Sequence, residues 1–220
     1  MSSSQFTANE IRSIIIAWVV LSVAISIGIV YSYGISVFEA VSAALIATAT
    51  AFILHEMGHK FVAIRHGYVA HFQIWTWGIL LTLITAIAFR GAFLFGAPGA
   101  VYIAPAAAYG FGYYASNYKR SDPQHENMII SAAGPGINLA FALVFLALIL
   151  LTPSSGIGSS FLSTVEQIGF SLNVGLGSFN MLPIPPIDGY KIFKGSIPIG
   201  LAIAIPLWAM FLIFFLGIGI

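Results

Sequence analysis

Phe52-Ile-Leu-His-Glu-Met-Gly-His-Lys-Phe61 lies inside an apolar stretch that runs from about Val37 to Ile64. A helix needs about 20 apolar residues to cross a bilayer, so the stretch reads as a membrane span with the ionisable side chains His55, Glu56 and His59 set into it, between Glu39 near its start and Lys60 near its end. On an α-helix, positions i and i+4 lie about one turn apart on one face. Two imidazoles so placed can reach one tetrahedral Zn²⁺, and Glu56 beside the first can take a proton from an attacking water. With five His and five Glu in 220 residues, chance produces this pattern in roughly 0.3% of such chains. Its location weighs further against accident, because ionisable groups at membrane depth cost several kcal/mol each and mark functional sites by default.

Composition fixes the solvent. The chain is 59% hydrophobic and only 7% charged, with a mean hydropathy of +0.98, whereas soluble domains are about a quarter charged. The expected fold class is therefore an all-α polytopic membrane protein with about five to seven transmembrane helices. A small membrane-associated β-strand region is expected around residues 68–118. The net charge of +1 excludes nucleic acid as a partner, since that needs a basic patch; the lipid bilayer is the surrounding phase. With no cysteine in the chain, thiolate catalysis and Cys-bound zinc are excluded, and a metal must be held by His, Asp or Glu.

Outward from the motif, the run from Ile11 to about Tyr33 reads as an uncleaved first span, with Gly28 and Gly34 as packing or termination points. Lys60 and Arg65 end the motif helix and bias that flank to the cytoplasm. A metal at His55 would then lie roughly 8–15 Å inside that face. Glu39, at the other end, reads as an interfacial charge. His71-Phe-Gln-Ile-Trp-Thr-Trp77 alternates in a β-like way, and Gly78 to Phe95 suits a short span or a re-entrant helix interrupted by Arg90. Gly96 to Pro105 is bracketed by Gly and Pro and reads as extended, and Tyr109-Gly-Phe-Gly-Tyr-Tyr114 continues in a strand-like way. The region from 68 to 118 thus either crosses twice or enters and leaves on one side. Lys119 to Asn127 reads as a cytoplasmic loop. Further helices are expected at about Met128–Leu151, Phe161–Leu182 and Ile197–Ile218, with a Ser/Gly-rich external turn at 153–160. Pro183, Pro185 and Pro186 break the chain before Asp188, and Lys191 and Lys194 mark the cytoplasmic side again.

Catalytic zinc takes three protein ligands and leaves one position open. The pattern His-Glu-x-x-His-x-x-Gly-x-x-His is excluded, because Val62 and Arg65 occupy its later positions. Asp188, Asp122, Glu126, Glu166, His66, His71 and His125 remain as third-ligand candidates. Glu166 falls on the wrong side of the membrane. Asp122, His125 and Glu126 read as solvated loop residues, and His66 and His71 as interfacial side chains. Asp188 follows a broken helix end on the same side as His55, the kind of place where membrane proteins build ion sites.

Three blocks carry a family resemblance: His55-Glu-Met-Gly-His59, Gly134-Pro-Gly-Ile-Asn138, and Asn180-Met-Leu-Pro-Ile-Pro-Pro-Ile-Asp188-Gly189. In these the chain resembles the site-2 protease family of intramembrane zinc metalloproteases, over about residues 37–195. The resemblance implies one Zn²⁺ per chain held by His55, His59 and Asp188. It makes Glu56 the general base and then the proton donor to the leaving amine. Asn180 would hold the substrate carbonyl or oxyanion, or else tie the broken helix to its neighbour; Asn138 and Gly134-Pro135 look structural. It implies hydrolysis of peptide bonds within or near the transmembrane segments of protein substrates. The expected unit is a single membrane-embedded protease domain over residues 1–220, of prokaryotic cell-membrane type without a PDZ domain, with its site toward the cytoplasm. The departures are an apolar insertion at 78–95 and an aromatic one at 106–118. A non-proteolytic metal-binding or transport protein of the membrane is the competing reading.

Overall fold

In the computed structural model, which describes residues 6–91, 94, 96–105, 122–152, 157, 160–215 and 217, Thr7 opens the first helix. Its hydroxyl accepts the N–H of Glu10 at 3.1 Å, and α1 runs Ala8–Tyr33 to a left-handed Gly34. Ser36 caps α2 in the same way. The helix then continues over Val37–Arg65 through one wide π turn, Ala49–Ile53. The remaining described elements are β1 (Tyr68–Ile74), α3 (Thr76–Ala88), β2 (Gly99–Pro105), α4 (Pro123–Leu151), α5 (Phe161–Asn180), α6 (Asp188–Gly195) and α7 (Ile197–Phe215).

Among the described residues the architecture is seven helices and one small antiparallel sheet. Four helices, α1, α2, α4 and α7, are long and apolar enough to cross a membrane, the mark of an integral membrane protein. Against the expectation of five to seven spans, four described helices qualify on length and composition together. Helix α5 has the length, but Glu166, Asn173, Ser178 and other polar residues dilute its apolar character. They can do so because this helix is packed inside the bundle, where Glu166, Asn173 and Ser178 are all buried. Helix α3, with 13 residues, is too short to cross alone.

Small residues set the spacing of the bundle. Ala40, Ala44 and Ala47 of α2 are fully buried against Ile29 of α1 and Ile168 of α5. On another face, Ala43 joins Ala142 and Phe145 of α4 and Val165, Phe170 and Val174 of α5. Without a hydrophobic drive between helices in lipid, such close packing is what holds them together. A third cluster, Met128, Met181, Ile192, Ala204 and Leu207, carries the short α6 between α4 and α7.

The region from 68 to 105 resolves into a return path. Strands β1 and β2 pair antiparallel, Tyr68 opposite Pro105 and Ile74 opposite Gly99, so the segment comes back to the end where it began. Helix α3 stands at the far tip. Phe72 of β1 bonds Glu10 near one end of α1, while Arg90 lies over the Tyr31 ring, 5.5 Å from its centroid, near the other. Along α1 these contacts are about 30 Å apart at 1.5 Å per residue, close to the hydrocarbon thickness of a bilayer. The strand-like reading of Tyr109 to Tyr114, the aromatic insertion, Lys119, Arg120 and most of the 153–160 turn lie outside the described residues.

One boundary needs correction. Residues 122–127 were expected to be a solvated loop before a helix at Met128, but α4 begins at Pro123. Asp122 caps it by accepting the N–H of Gln124 at 3.0 Å, and a proline in the first turn costs no hydrogen bond. Glu126 is consequently buried, and its carboxylate accepts the Tyr68 hydroxyl at 2.6 Å. Of the three residues expected to be solvated there, Asp122 and His125 remain exposed.

Gly91 holds α3 against α1. Its φ is +74°, and a Cβ there would lie 2.1 Å from the Gly28 Cα. Gly91→Ala should therefore destabilise the protein by about 2–4 kcal/mol, adding overpacking to a disfavoured backbone angle. A lowered thermal unfolding midpoint in detergent is the readout; an unchanged midpoint would show that α3 does not dock there.

Candidate metal centre

The π turn ends at Ile53, two residues before His55, and π turns recur at functional sites. Beyond it, His55 and His59 lie one turn apart on the α2 face that meets α4, and both are buried. Gly134 of α4 makes that approach possible. A Cβ on it would stand 2.4 Å from His59 Nε2 and 2.6 Å from His55 Nε2, filling the space the imidazoles face.

Asp188 arrives from the other direction. Helix α5 stops at Asn180, residues 181–187 turn through three prolines with a cis Pro185–Pro186 bond, and Asp188 opens α6. Its Oδ2 lies 3.0 Å from His59 Nε2 and 3.7 Å from His55 Nε2, and the two Nε2 atoms are 3.1 Å apart. Tetrahedral donors about 2.0–2.2 Å from one zinc ion would be roughly 3.3–3.6 Å from one another. The three donors thus have the chemistry and nearly the spacing of a tetrahedral zinc site with one corner open. Among the described residues this is the one group of three or more His and acidic side chains so placed. Burial opposes charge on Asp188, but His59 and His55 beside it hold its carboxyl well below the usual carboxylate range. Lys191, one turn along α6, lies 3.5 Å from Oδ1.

Hydrogen bonds decide which imidazole nitrogen faces the site. Asn138 of α4 is fully buried; its Nδ2 donates to the Ala51 carbonyl of the π turn at 2.9 Å and to Asn173 Oδ1 at 3.1 Å. A backbone carbonyl can only accept, so the amide orientation is fixed, and Oδ1 must be the atom that faces His55 Nδ1 at 2.6 Å. His55 Nδ1 therefore carries the proton. His59 Nδ1 donates in the same sense to the Ile130 carbonyl at 2.8 Å. Both Nε2 lone pairs are left pointing at the site, the arrangement in which imidazoles bind metals.

Glu56 lies beside this group with one oxygen engaged: Oε2 accepts the Val101 N–H of β2 at 2.8 Å. The opposite residue of β1, Phe72, donates its N–H outward to Glu10. Phe72 and Val101 are thus a non-hydrogen-bonded pair of the ladder, and by alternation so are Ala70 and Ile103. The outer edge of β2 therefore presents Ile103 N–H and the Val101 and Ile103 carbonyls.

The other sequence candidates have partners of their own or mark element ends. Asn180 donates to the Leu176 carbonyl of its own helix at 3.1 Å. Glu166 accepts the Thr152 hydroxyl at 3.0 Å, and Glu39 that of Thr164 at 3.2 Å. His66 ends α2; His71 sits on β1, its Nδ1 4.0 Å from Glu10. Asn173 is the residue that sequence reading passed over. Its only signal was an amide in the middle of a membrane-length segment.

Replacing Asn138 with alanine removes the proton-fixing partner of His55 and leaves the Ala51 carbonyl unpaired. Zinc affinity measured by chelator competition should fall roughly 10–100-fold, with helix content by circular dichroism retained. Undiminished affinity would remove Asn138 from the site.

Residues 43–169 match Peptidase family M50, a stretch that holds both histidines, Glu56 and Asn138. Two relatives carry the name "putative zinc metalloprotease". MJ0611 of Methanocaldococcus jannaschii is 34% identical over 207 residues, covering 94% of this chain and 95% of that protein. YwhC of Bacillus subtilis is 35% identical over 83 residues, 36% of this chain and 38% of its own length. No solved structure matches significantly. With over half its length matched by the family and nearly all of it by a relative, the chain belongs to peptidase family M50, the site-2 protease family of zinc metalloproteases.

Proposed function

We propose that this protein hydrolyses peptide bonds within or near the transmembrane segments of other membrane proteins, as a single membrane-embedded protease unit in which α5 is a further span. The observation that carries the reading is the group of buried His55 and His59 with half-buried Asp188, brought together with Glu56 against a strand whose outer edge is unpaired in the ladder. One Zn²⁺ held by the three donors would supply Lewis acidity, lowering the pKa of a water toward ~7 and polarising the scissile carbonyl. The remaining work falls to the chain. Asn138 and Ile130 hold the Nδ1 protons of His55 and His59 and so fix which nitrogen of each ring faces the site. Glu56 takes the proton of the attacking water and passes it to the leaving amine nitrogen. Asn180 gives one of its two amide hydrogens to the Leu176 carbonyl, holding its own helix end, and the second remains to serve a substrate carbonyl or oxyanion.

A substrate helix conceals its peptide bonds in its own hydrogen bonds, so it must unwind before cleavage. Ile103 N–H and the Val101 and Ile103 carbonyls offer the unwound segment replacement partners, by strand addition. The site faces the cytoplasm in this reading. Arg12, Lys60, Arg65, Lys191 and Lys194 belong to the end of the bundle that holds the site, and Arg90 to the other.

Elemental analysis of detergent-purified protein should give close to one zinc per chain in the wild type and in Glu56→Gln, and clear loss in Asp188→Ala. Glu56→Gln should also lose at least about 10³-fold in cleavage of transmembrane test substrates, the scale on which a general base acts. Wild type that holds no zinc would sink the reading, and zinc retained in Asp188→Ala would reassign the third ligand. The strand edge has its own test. Proline at Ile103 removes an outward donor while sparing the ladder, so cleavage should fall about tenfold or more at unchanged zinc. Intact cleavage would remove β2 from substrate binding.

A further inference from the structure

Lys60, next to His59, is the largest fully buried side chain described in the structure, 1% exposed. Its Nζ pairs with Glu10 of α1 at 2.5 Å and lies 4.2 Å from the centre of the Phe6 ring. Glu10 is 3% exposed, and the same Oε1 accepts the Phe72 N–H of β1 at 2.9 Å. Its Oε2 is the buried side-chain polar atom left without a hydrogen bond among those described. A buried ion pair is weak evidence for stability, since desolvation of two charges consumes most of the attraction. One with an unsatisfied oxygen is weaker still, and the pattern needs another account.

The geometry supplies one. Phe72 and Val101 face each other across the sheet, and two carboxylates hold this pair from its two edges: Glu10 at Phe72 N–H and Glu56 at Val101 N–H. Glu10 is in turn anchored by Lys60, one residue from His59 on the helix that carries the site. The sheet is thereby fixed in height against His55, Glu56 and His59. A slip by one residue would present Glu10 with an N–H already used in the ladder. A slip by two would move β2 about 6.6–6.8 Å along the site.

We propose that the Glu10–Lys60 pair is a positioning device: it sets the register of β2 against the metal centre and so selects which peptide bond of a bound substrate is cut. Glu10 and Lys60 touch no reacting atom and act through β1. The cut-site part of this proposal rests on the protease reading above; the register part does not.

Removing Glu10 alone would strand a buried lysine and risk the fold, so the test is the matched apolar pair Glu10→Leu with Lys60→Met, which replaces a buried ion pair at little cost in stability. The chain has no cysteine, so spin labels on cysteines at the exposed positions Tyr102 of β2 and Asn127 of α4 report the height of the sheet directly. The native pair should give one narrow distance, and the apolar pair a broadened or displaced distribution at unchanged zinc content. With a transmembrane test substrate, the native pair should yield one cut site. The apolar pair should yield products displaced by two residues and a rate lower by roughly 10–100-fold. An unchanged narrow distance, or an unchanged single cut at the native rate, overturns the proposal. A wild type that binds zinc but cleaves nothing would overturn the protease reading and the cut-site role, while the label distances still decide the register.

Discussion

Asn138 has no water to fall back on. A buried amide in a membrane protein must find all its partners in the chain, and this one finds them on two other helices. It faces the His55 ring and the Ala51 carbonyl of α2 and the Asn173 amide of α5. Interhelical hydrogen bonds of this kind contribute only about 0.6–2 kcal/mol each in membranes, so the network adds little to the total stability. Its effect is selective. Three helices can satisfy Asn138, Asn173 and the π turn together in one arrangement, and that arrangement turns the His55 lone pair toward His59 and Asp188.

The rest of the bundle makes this arrangement reachable. Buried alanines on α2 let α1 and α5 come close on two of its faces, and Gly134 gives up a side chain so that α4 can lie against the imidazoles. The third donor comes from a less constrained element. Helix α6 has eight residues, too few to be stable alone, and is held by its own Ile192 packed against Met128, Met181, Ala204 and Leu207. An ion shared by α2 and α6 would therefore add a tie where packing alone is thinnest.

How much of this could be read from the chain depended on how local the cause was. The i, i+4 spacing of His55 and His59 is a property of one helix, and Asp188 after its prolines is a property of one turn, so both were legible. The extended character of 99–105 was legible too, from its glycine and proline brackets. What pairs it with Tyr68–Ile74 is tertiary, and the return path was left open between two topologies. The start of α4 was misplaced because Asp122-Pro123 was weighed as loop composition rather than as a cap followed by a first-turn proline. Helix α5 reads as a span from its length, and its polar residues, which keep its hydropathy low, record burial inside the bundle. Asn173 and the Glu10–Lys60 pair act across 35 and 50 positions of sequence; no periodicity in a single chain encodes such a distance.

The buried acids share one physical rule that bears on the chemistry. A carboxylate in a low-dielectric interior survives only where donors are built for it. Glu126 has the Tyr68 hydroxyl, Glu166 the Thr152 hydroxyl, and Glu10 has Lys60 and the Phe72 N–H. Half-buried Glu56 accepts the Val101 backbone N–H of β2 on one oxygen, and among the described residues its other oxygen accepts no hydrogen bond. The same strand that orders Glu56 leaves its next outward N–H, that of Ile103, beyond the reach of the ladder. Base and strand edge are therefore parts of one rigid unit, and anything that moves the sheet moves both together relative to the histidines.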